Sequence, residues 1–306
     1  IGFRTQQSDL LLKTILERGA QDSSGGGGEV VSMQSVAEQQ LQEILEAYRD
    51  VHFEQETVVS NCDEIGPFQN VVLQECERMN FLISEMVRSL IELDMGFKGD
   101  LTMSDTMEAL ANSLFLDKVP AGWNKLAFPS MRPLGAWLGD LTNRLAQLTE
   151  WANSPAETPI CTWISGLFNA QSFLTAVMQI TAQAGGLELD KLTLVTDVTK
   201  KLAAEEFTQP AREGTYITGI SLEGGSWNTS SALLESARPR EMYSVVPVIN
   251  VRPMIVEKLD PTTYKCPIYK TQQRGPTFVF TIQLRTKADI GKWVLSGVVG
   301  LLDVSG

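Results

Sequence analysis

Hydrophobic positions change their spacing once along the chain. Up to about residue 190 they recur in steps of three and four, the mark of helices with one buried side. Beyond it, short alternating or β-branched runs stand between Gly and Pro. The most regular stretch runs from Gln69 to about Phe97, where Val72, Cys76, Met79, Ile83, Met86, Leu90, Leu93 and Phe97 succeed one another at helical spacing. At 1.5 Å per residue it would span roughly 43 Å. Leu82, Val87 and Ile91 add a second apolar flank. Four heptads with two stripes predict an intramolecular spar rather than a coiled-coil seam.

Shorter helices are expected on either side. Ser8–Arg18 carries Leu11, Leu12, Ile15 and Leu16 on one side and stops at Gly19. Met33–Val51 sets Val36, Leu41, Ile44, Leu45 and Tyr48 against Glu38, Glu43, Glu46 and Asp50. Ser104-Asp105 is an N-cap signal for a helix through Asn112. Pro120, Pro129 and Pro133 predict an extended path over Val119–Arg132. Leu134 begins another helix that ends before Pro155, and Asn169–Gln183 is the last, stopped by Gly185-Gly186.

About six strands follow: Leu192–Val198, Tyr216–Leu222, Val245–Val256, Tyr264–Tyr269, Thr277–Leu284 and Trp293–Leu302. Pro247 and Pro253 make the third of these bent or an edge. Short gaps predict an antiparallel sheet curled into an incomplete barrel. The expected class is therefore α+β, with a helical part over residues 1–190, built on one long spar helix, and a β part over 191–306.

Charge narrows the partners. The sequence has 306 residues and a net charge of −12. Residues 1–100 hold seven Lys/Arg against eighteen Asp/Glu, and residues 201–306 hold twelve against ten. No dense basic face is available to neutralise phosphates, which argues against nucleic acid. The longest apolar stretch, Trp293–Leu302, is far below the ~20 residues of a membrane span, and no signal segment opens the sequence. Starting at Ile1 rather than Met, it reads as a piece of something longer.

Candidate chemistry is sparse. Cys62, Cys76, Cys161 and Cys266 form no Cys-x-x-Cys pair, so they read as reduced, mostly buried thiols. His52 is the one histidine, and a hydrolase built on it would need a nucleophile converging from elsewhere. Gly25–Gly28 lacks the Lys-Ser/Thr of a phosphate loop and reads as a linker. Ser165-Gly166 lacks the glycine of a nucleophile elbow. Asp63-Glu64 and Glu205-Glu206 read as solvated pairs, and Asn228-Thr229-Ser230 fits a glycosylation acceptor only in a secreted protein. Trp123, Trp137, Trp151 and Trp163 read as core residues rather than a ligand cage. No catalytic, cofactor-binding or metal-ligating residue is assigned.

Several blocks resemble one family. Ser89-Leu90-Ile91-Glu92-Leu93-Asp94-Met95-Gly96-Phe97-Lys98-Gly99-Asp100-Leu101 looks like the end of the longest C-terminal helix of dynein heavy chains. Val119-Pro120-Ala121-Gly122-Trp123, Phe128-Pro129-Ser130 and Pro133-Leu134-Gly135-Ala136-Trp137 resemble the next block. Trp163-Ile164-Ser165-Gly166-Leu167-Phe168 with Gln171–Ala176 and Gln179 resembles the third, followed by Tyr216–Trp227 and Tyr264–Thr271. Asp197–Lys201, Gln273–Thr277 and Lys292–Leu295 resemble axonemal outer-arm rather than cytoplasmic dyneins. The Gly-rich stretch departs from the pattern, where the family tolerates a variable loop.

The resemblance implies a place in the C-terminal domain of an AAA-ring, minus-end-directed microtubule motor of the ciliary or flagellar axoneme. It implies no cofactor in this segment, with ATP and Mg bound elsewhere in the parent motor. The implied partners are the AAA ring of the same polypeptide and other dynein subunits, with the microtubule reached only through parts absent from this sequence. It implies neither nucleic acid nor membrane, and a cytoplasmic, axonemal location. Set against it stands a stand-alone adaptor that adds a partner peptide to an open β edge.

Overall fold

The computed structural model describes residues 33–62, 64–255 and 263–302. The helix expected over Ser8–Arg18 and the Gly25–Gly28 stretch lie outside them. Among the described residues there are eight α-helices and eleven strands. The class is α+β, with helices first and strands after.

Helix α1 spans Met33–Tyr48 and buries Leu41, Ile44, Leu45 and Tyr48 of the expected stripe, with Ala37 buried in place of Val36, which is half-exposed. A short α2, Gln55–Ser60, was not expected from the sequence. Helix α3, Pro67–Lys98, is the long spar, 32 residues from its proline at the first turn. Of the expected second flank only Leu82 is as fully buried as Met86, Leu90 and Leu93, while Val87 is half-exposed and Ile91 exposed. Helix α4, Asp105–Phe115, is capped by Ser104, whose hydroxyl accepts the Met107 N–H at 3.4 Å.

The predicted extended path over Val119–Arg132 is interrupted by α5, Ala121–Leu126. Pro120 stands just before it, a position where a missing N–H breaks no helical bond. Helix α6 runs Leu134–Asn153. Helix α7, Ala170–Gly185, is capped by Asn169 and ends on Gly186 in the left-handed region at φ 59°.

Two compact units share these elements. The first takes residues up to His52, Met79–Ala127 and Arg132–Thr142; the second takes Phe53–Arg78, Phe128–Met131 and Asn143 onward. Within the first, α1 packs on α4, and Trp123 stacks on Trp137 with ring centroids 6.2 Å apart. Within the second, Phe68 at the start of α3 meets Trp151 and Phe173 at 5.5 and 6.4 Å.

The strands belong to the second unit: β1 Cys161–Trp163, β2 Thr193–Val198, β3 Thr215–Thr218, β4 Ser221–Glu223, β5 Gly225–Asn228, β6 Leu233–Ser236, β7 Tyr243–Val245, β8 Ile249–Met254, β9 Thr263–Tyr269, β10 Phe278–Arg285 and β11 Val299–Leu301. They form three sheets, ordered β1-β3-β8-β2, β10-β9-β11-β4-β7 and β5-β6, so no single barrel closes. The expectation of about six antiparallel strands is corrected further by two parallel pairs, β1 with β3 and β11 with β9. The one predicted strand Tyr216–Leu222 is two, in different sheets, divided at Gly219.

That glycine has φ +95°, and a Cβ there would run into Ser165 and the Trp163 ring. Most of Trp293–Leu302 is not strand. Helix α8, Ile290–Leu295, begins it, started by Asp289, whose carboxylate accepts the Gly291 N–H at 3.0 Å.

β8 to β10 alternate as sheet geometry requires. Ile249 and Val251 on β8, Tyr264, Cys266 and Ile268 on β9, and Ile282 and Leu284 on β10 face inward. Pro253 is tolerated because β3 stops pairing with β8 at Val251, leaving that end of β8 bonded on one side only.

Candidate functional site

Polar side chains, some within the blocks that carried the resemblance and some beside them, hold backbone in place. In the second unit the centre of this arrangement is Glu75, on the first half of α3, only 3% exposed. Its two carboxylate oxygens accept the N–H groups of Phe168 and Asn169 at 2.7 and 2.9 Å. It thereby fixes the turn that leads into α7. Burial pushes the Glu75 carboxyl above its ordinary range, and the two N–H donors and the guanidinium groups of Arg78 and Arg144 partly offset that rise.

Arg144 on α6 is itself buried, its guanidinium 3.6 Å from the Phe128 ring centre and 5.2 Å from that of Trp163. Gln147, one helical turn further along, accepts the Trp163 N–H at 2.8 Å and donates to the Trp163 carbonyl at 3.2 Å. Ser165 donates to the Gly219 carbonyl. The Trp163–Phe168 block is thus a framework held from three directions.

In the first unit, Trp123 donates its indole N–H to the Ser89 hydroxyl at 2.9 Å. Asp117 accepts the Gly135 N–H at 2.8 Å, capping the start of α6, with its carboxyl pushed up by burial and drawn back by that bond. Arg132 pairs with Asp140 at 2.9 Å. Between α1 and the start of α6 lies an apolar groove of about 320 Å³, lined by Ile44, Ala47, Tyr48, Leu134, Leu138 and Thr142 among others. The Tyr48 hydroxyl lies 3.0 Å from that of Thr142.

A second groove, about 810 Å³, lies in the second unit between the start of α3, the loop after α6 and the end of α7. Gly66–Asn70, Ala156, Thr158, Gln179 and Gln183 line it.

The residues weighed for chemistry from the sequence are scattered. His52 is exposed in the loop before α2. Burial pushes the thiols of Cys76 and Cys266 up to about 12 and that of Cys161 up to about 11. Among the described residues no three His, Cys, Asp or Glu side chains come together as a metal site. None of the helices described is long and apolar enough to cross a membrane.

Glu206 is exposed, yet it is not merely solvated. Its carboxylate accepts the N–H groups of Leu202 and Ala203 at 2.9 and 3.0 Å, which hold it below the ordinary glutamate range. Asn228 turns its side-chain oxygen to the N–H groups of Ser230 and Ser231, closing the β5–β6 turn.

Glu75 is the residue sequence reading passes over. A signal was present, because it lies three residues after Val72 and four before Met79, on the apolar side of α3.

Residues 5–302 match the family model that describes the C-terminal domain of dynein heavy chains. The sequence is 43% identical over 308 residues to the dynein beta chain of the flagellar outer arm of Chlamydomonas reinhardtii. It is 44% identical to the ciliary dynein beta chain of Heliocidaris crassispina and 42% to dynein axonemal heavy chain 9 of Homo sapiens. Each comparison covers 99% of this sequence but only 7% of the relative's length.

Proposed function

Because this protein belongs to the family of C-terminal domains of dynein heavy chains, we propose that it is the non-catalytic, ring-capping and regulatory segment of an axonemal dynein. The parent would be an ATP-driven, minus-end-directed microtubule motor of cilia or flagella. The segment's partners would be the AAA ring of the same polypeptide and other subunits of the complex. ATP and Mg would act elsewhere in the parent, and microtubule contact would belong to parts outside this segment.

One observation carries the proposal. The blocks that resemble the family and the segments packed on them are built as framework: Ser89 and Ser165 inside the blocks, and Glu75, Gln147 and Asp117 outside them, use their polar atoms on neighbouring backbone or packed side chains. A segment so constructed acts by its shape and stiffness rather than by bond chemistry. In a machine that moves between packed states, a rigid element that favours one of them shifts the populations. A difference of about 1.4 kcal/mol changes the ratio tenfold, so a modest docking contact suffices.

The experiment is a parent motor truncated at about residue 190, assayed for ATPase rate and single-molecule motility. ATP turnover should persist while force, stepping or run length changes. Unchanged motility would reduce the segment to passive scaffold, and loss of ATPase in an intact ring would overturn the reading.

A further inference from the structure

Of the thirteen prolines in the sequence, only Pro155 and Pro159 follow a hydroxyl-bearing residue. They make Ser154-Pro155 and Thr158-Pro159, four residues apart in the connection from α6 to β1. A proline directly after the acceptor suits a protein kinase whose peptide site offers no partner for that residue's N–H, since proline has none to leave unsatisfied. Such a site also needs the acceptor in extended, detachable backbone with the following ring in reach.

The fold treats the two motifs differently. Ser154 continues the last turn of α6, its N–H donating to the Glu150 carbonyl at 3.2 Å. Its own carbonyl accepts the Glu157 N–H at 3.4 Å. Pro155 is buried, and its carbonyl accepts the Gln69 side-chain amide at 2.8 Å. Reading Ser154 would require unwinding that turn and extracting the ring. Thr158 is exposed in neither helix nor strand, Pro159 is half-exposed, and no hydrogen bond among the described residues ties Thr158 down. Thr158 also lines the groove of about 810 Å³, so an added phosphate has room without displacing packed groups.

We propose that Thr158 is a phosphorylation site for a proline-directed protein kinase, and that the fold withholds Ser154 from the same enzyme. The transfer breaks the bond between the γ-phosphorus of ATP and its bridging oxygen and forms the bond from phosphorus to Thr158 Oγ1. ADP leaves, and the hydroxyl proton passes to the kinase's catalytic carboxylate. The product carries close to two negative charges at neutral pH beside Glu157, on the rim of that groove.

The test treats the folded 306-residue protein with a purified proline-directed kinase and Mg·ATP, and maps the phosphates by mass spectrometry. A synthetic peptide of residues 150–162 is run alongside, with both acceptors released from the fold. The folded protein should carry phosphate on Thr158 and at least about tenfold less on Ser154, the factor that a local opening of ~1.4 kcal/mol imposes. In the peptide that preference should collapse, and Pro159→Ala should remove modification of Thr158 from both. A Thr158→Ala variant should lose the incorporation while keeping its melting temperature, since the side chain is exposed. No phosphate on Thr158 in either protein or peptide would overturn the proposal. So would its confinement to the peptide, or equal labelling of Ser154 in the folded protein.

Discussion

Gln283 on β10 and Thr196 on β2 join two sheets that share no backbone ladder. The Gln283 side-chain oxygen accepts both the Thr196 N–H and the Thr196 hydroxyl at 2.6 Å, and its amide donates to the Leu194 carbonyl at 3.2 Å. The Gln283 N–H in turn donates to the Thr196 hydroxyl at 2.7 Å. The N–H of residue 196 and the carbonyl of residue 194 are the pair that one residue of a parallel neighbour would engage. A side-chain amide therefore stands in for a missing strand at the free edge of β2.

Gln283→Ala should cost about 1–3 kcal/mol, because it leaves a buried N–H and carbonyl of β2 without partners. Thr196→Val should cost a similar amount. Urea titration of both single variants and the double variant reads the coupling, expected between ~0.5 and ~3 kcal/mol. Strict additivity would mean that the two residues act independently.

Glu75→Gln should destabilise the fold by about 1–3 kcal/mol at low pH, since the amide puts N–H donors where an oxygen accepts one of the two backbone N–H groups. The pH dependence has a definite sign. Burial raises the folded-state carboxyl above its unfolded value, so its contribution is fully present below the unfolded value and is lost as pH rises through the folded one. The stability gap between wild type and Glu75→Gln should therefore narrow from roughly pH 4 upward. Denaturation curves at several pH values decide it, and a gap that widens would reverse the assignment.

Two glycines with similar backbone angles should respond differently to alanine. Gly99 has φ +80° with open space around its missing Cβ, and Gly99→Ala should cost about 1–2 kcal/mol from conformation alone. Gly214 has φ +72°, and a Cβ there would collide with the Val251 carbonyl of β8. Gly214→Ala should cost more than about 3 kcal/mol, conformational strain and overpacking together. Thermal melts of the pair separate the two effects.

Thiol reactivity should follow burial. Cys76 and Cys266, pushed up to about 12, stay protonated and covered at neutral pH, and Cys161 stays protonated too. A thiol-reactive dye added to the native protein should label half-exposed Cys62 first, then half-exposed Cys161 more slowly because its thiol is pushed up to about 11, and Cys76 and Cys266 only after denaturant opens the fold. Rapid native labelling of Cys266 would contradict the packing of β9.

What the sequence disclosed and what it hid divide along physical lines. The spar helix was legible because 32 residues give its period many turns to repeat. β8, β9 and β10 were legible because six to eight residues show alternation. β1, β5 and β6, at three or four residues, are too short to show a period. The parallel partnership of β11 and β9 lies between segments far apart in sequence, and nothing local encodes it. Helix α8 was mistaken for strand because Trp293-Val294-Leu295 favours β by type, and the deciding feature was the Asp289 cap.

The framework residues were hidden for a related reason. Gln283 in a strand reads as a solvent-facing position, and Glu75, though its spacing puts it on the apolar side of α3, carries no local sign of the N–H groups it accepts. Only the loop at Phe168 and Asn169, brought in from some ninety residues away, makes Glu75 an interior residue.

The position of β11 ties assembly to the order of synthesis. It lies at the middle of the five-stranded sheet, with β9 and β10 on one side and β4 and β7 on the other, yet it is the last of the described strands to leave the ribosome. Until Val299–Leu301 emerge, the β9–β10 hairpin and the β4–β7 pair have no common neighbour, and each presents an open edge. The sheet is therefore closed from its centre, by three residues, after all its other strands have been made. A polypeptide cut short before Val299 would hold not a shortened sheet but two unjoined ladders, β9–β10 and β4–β7.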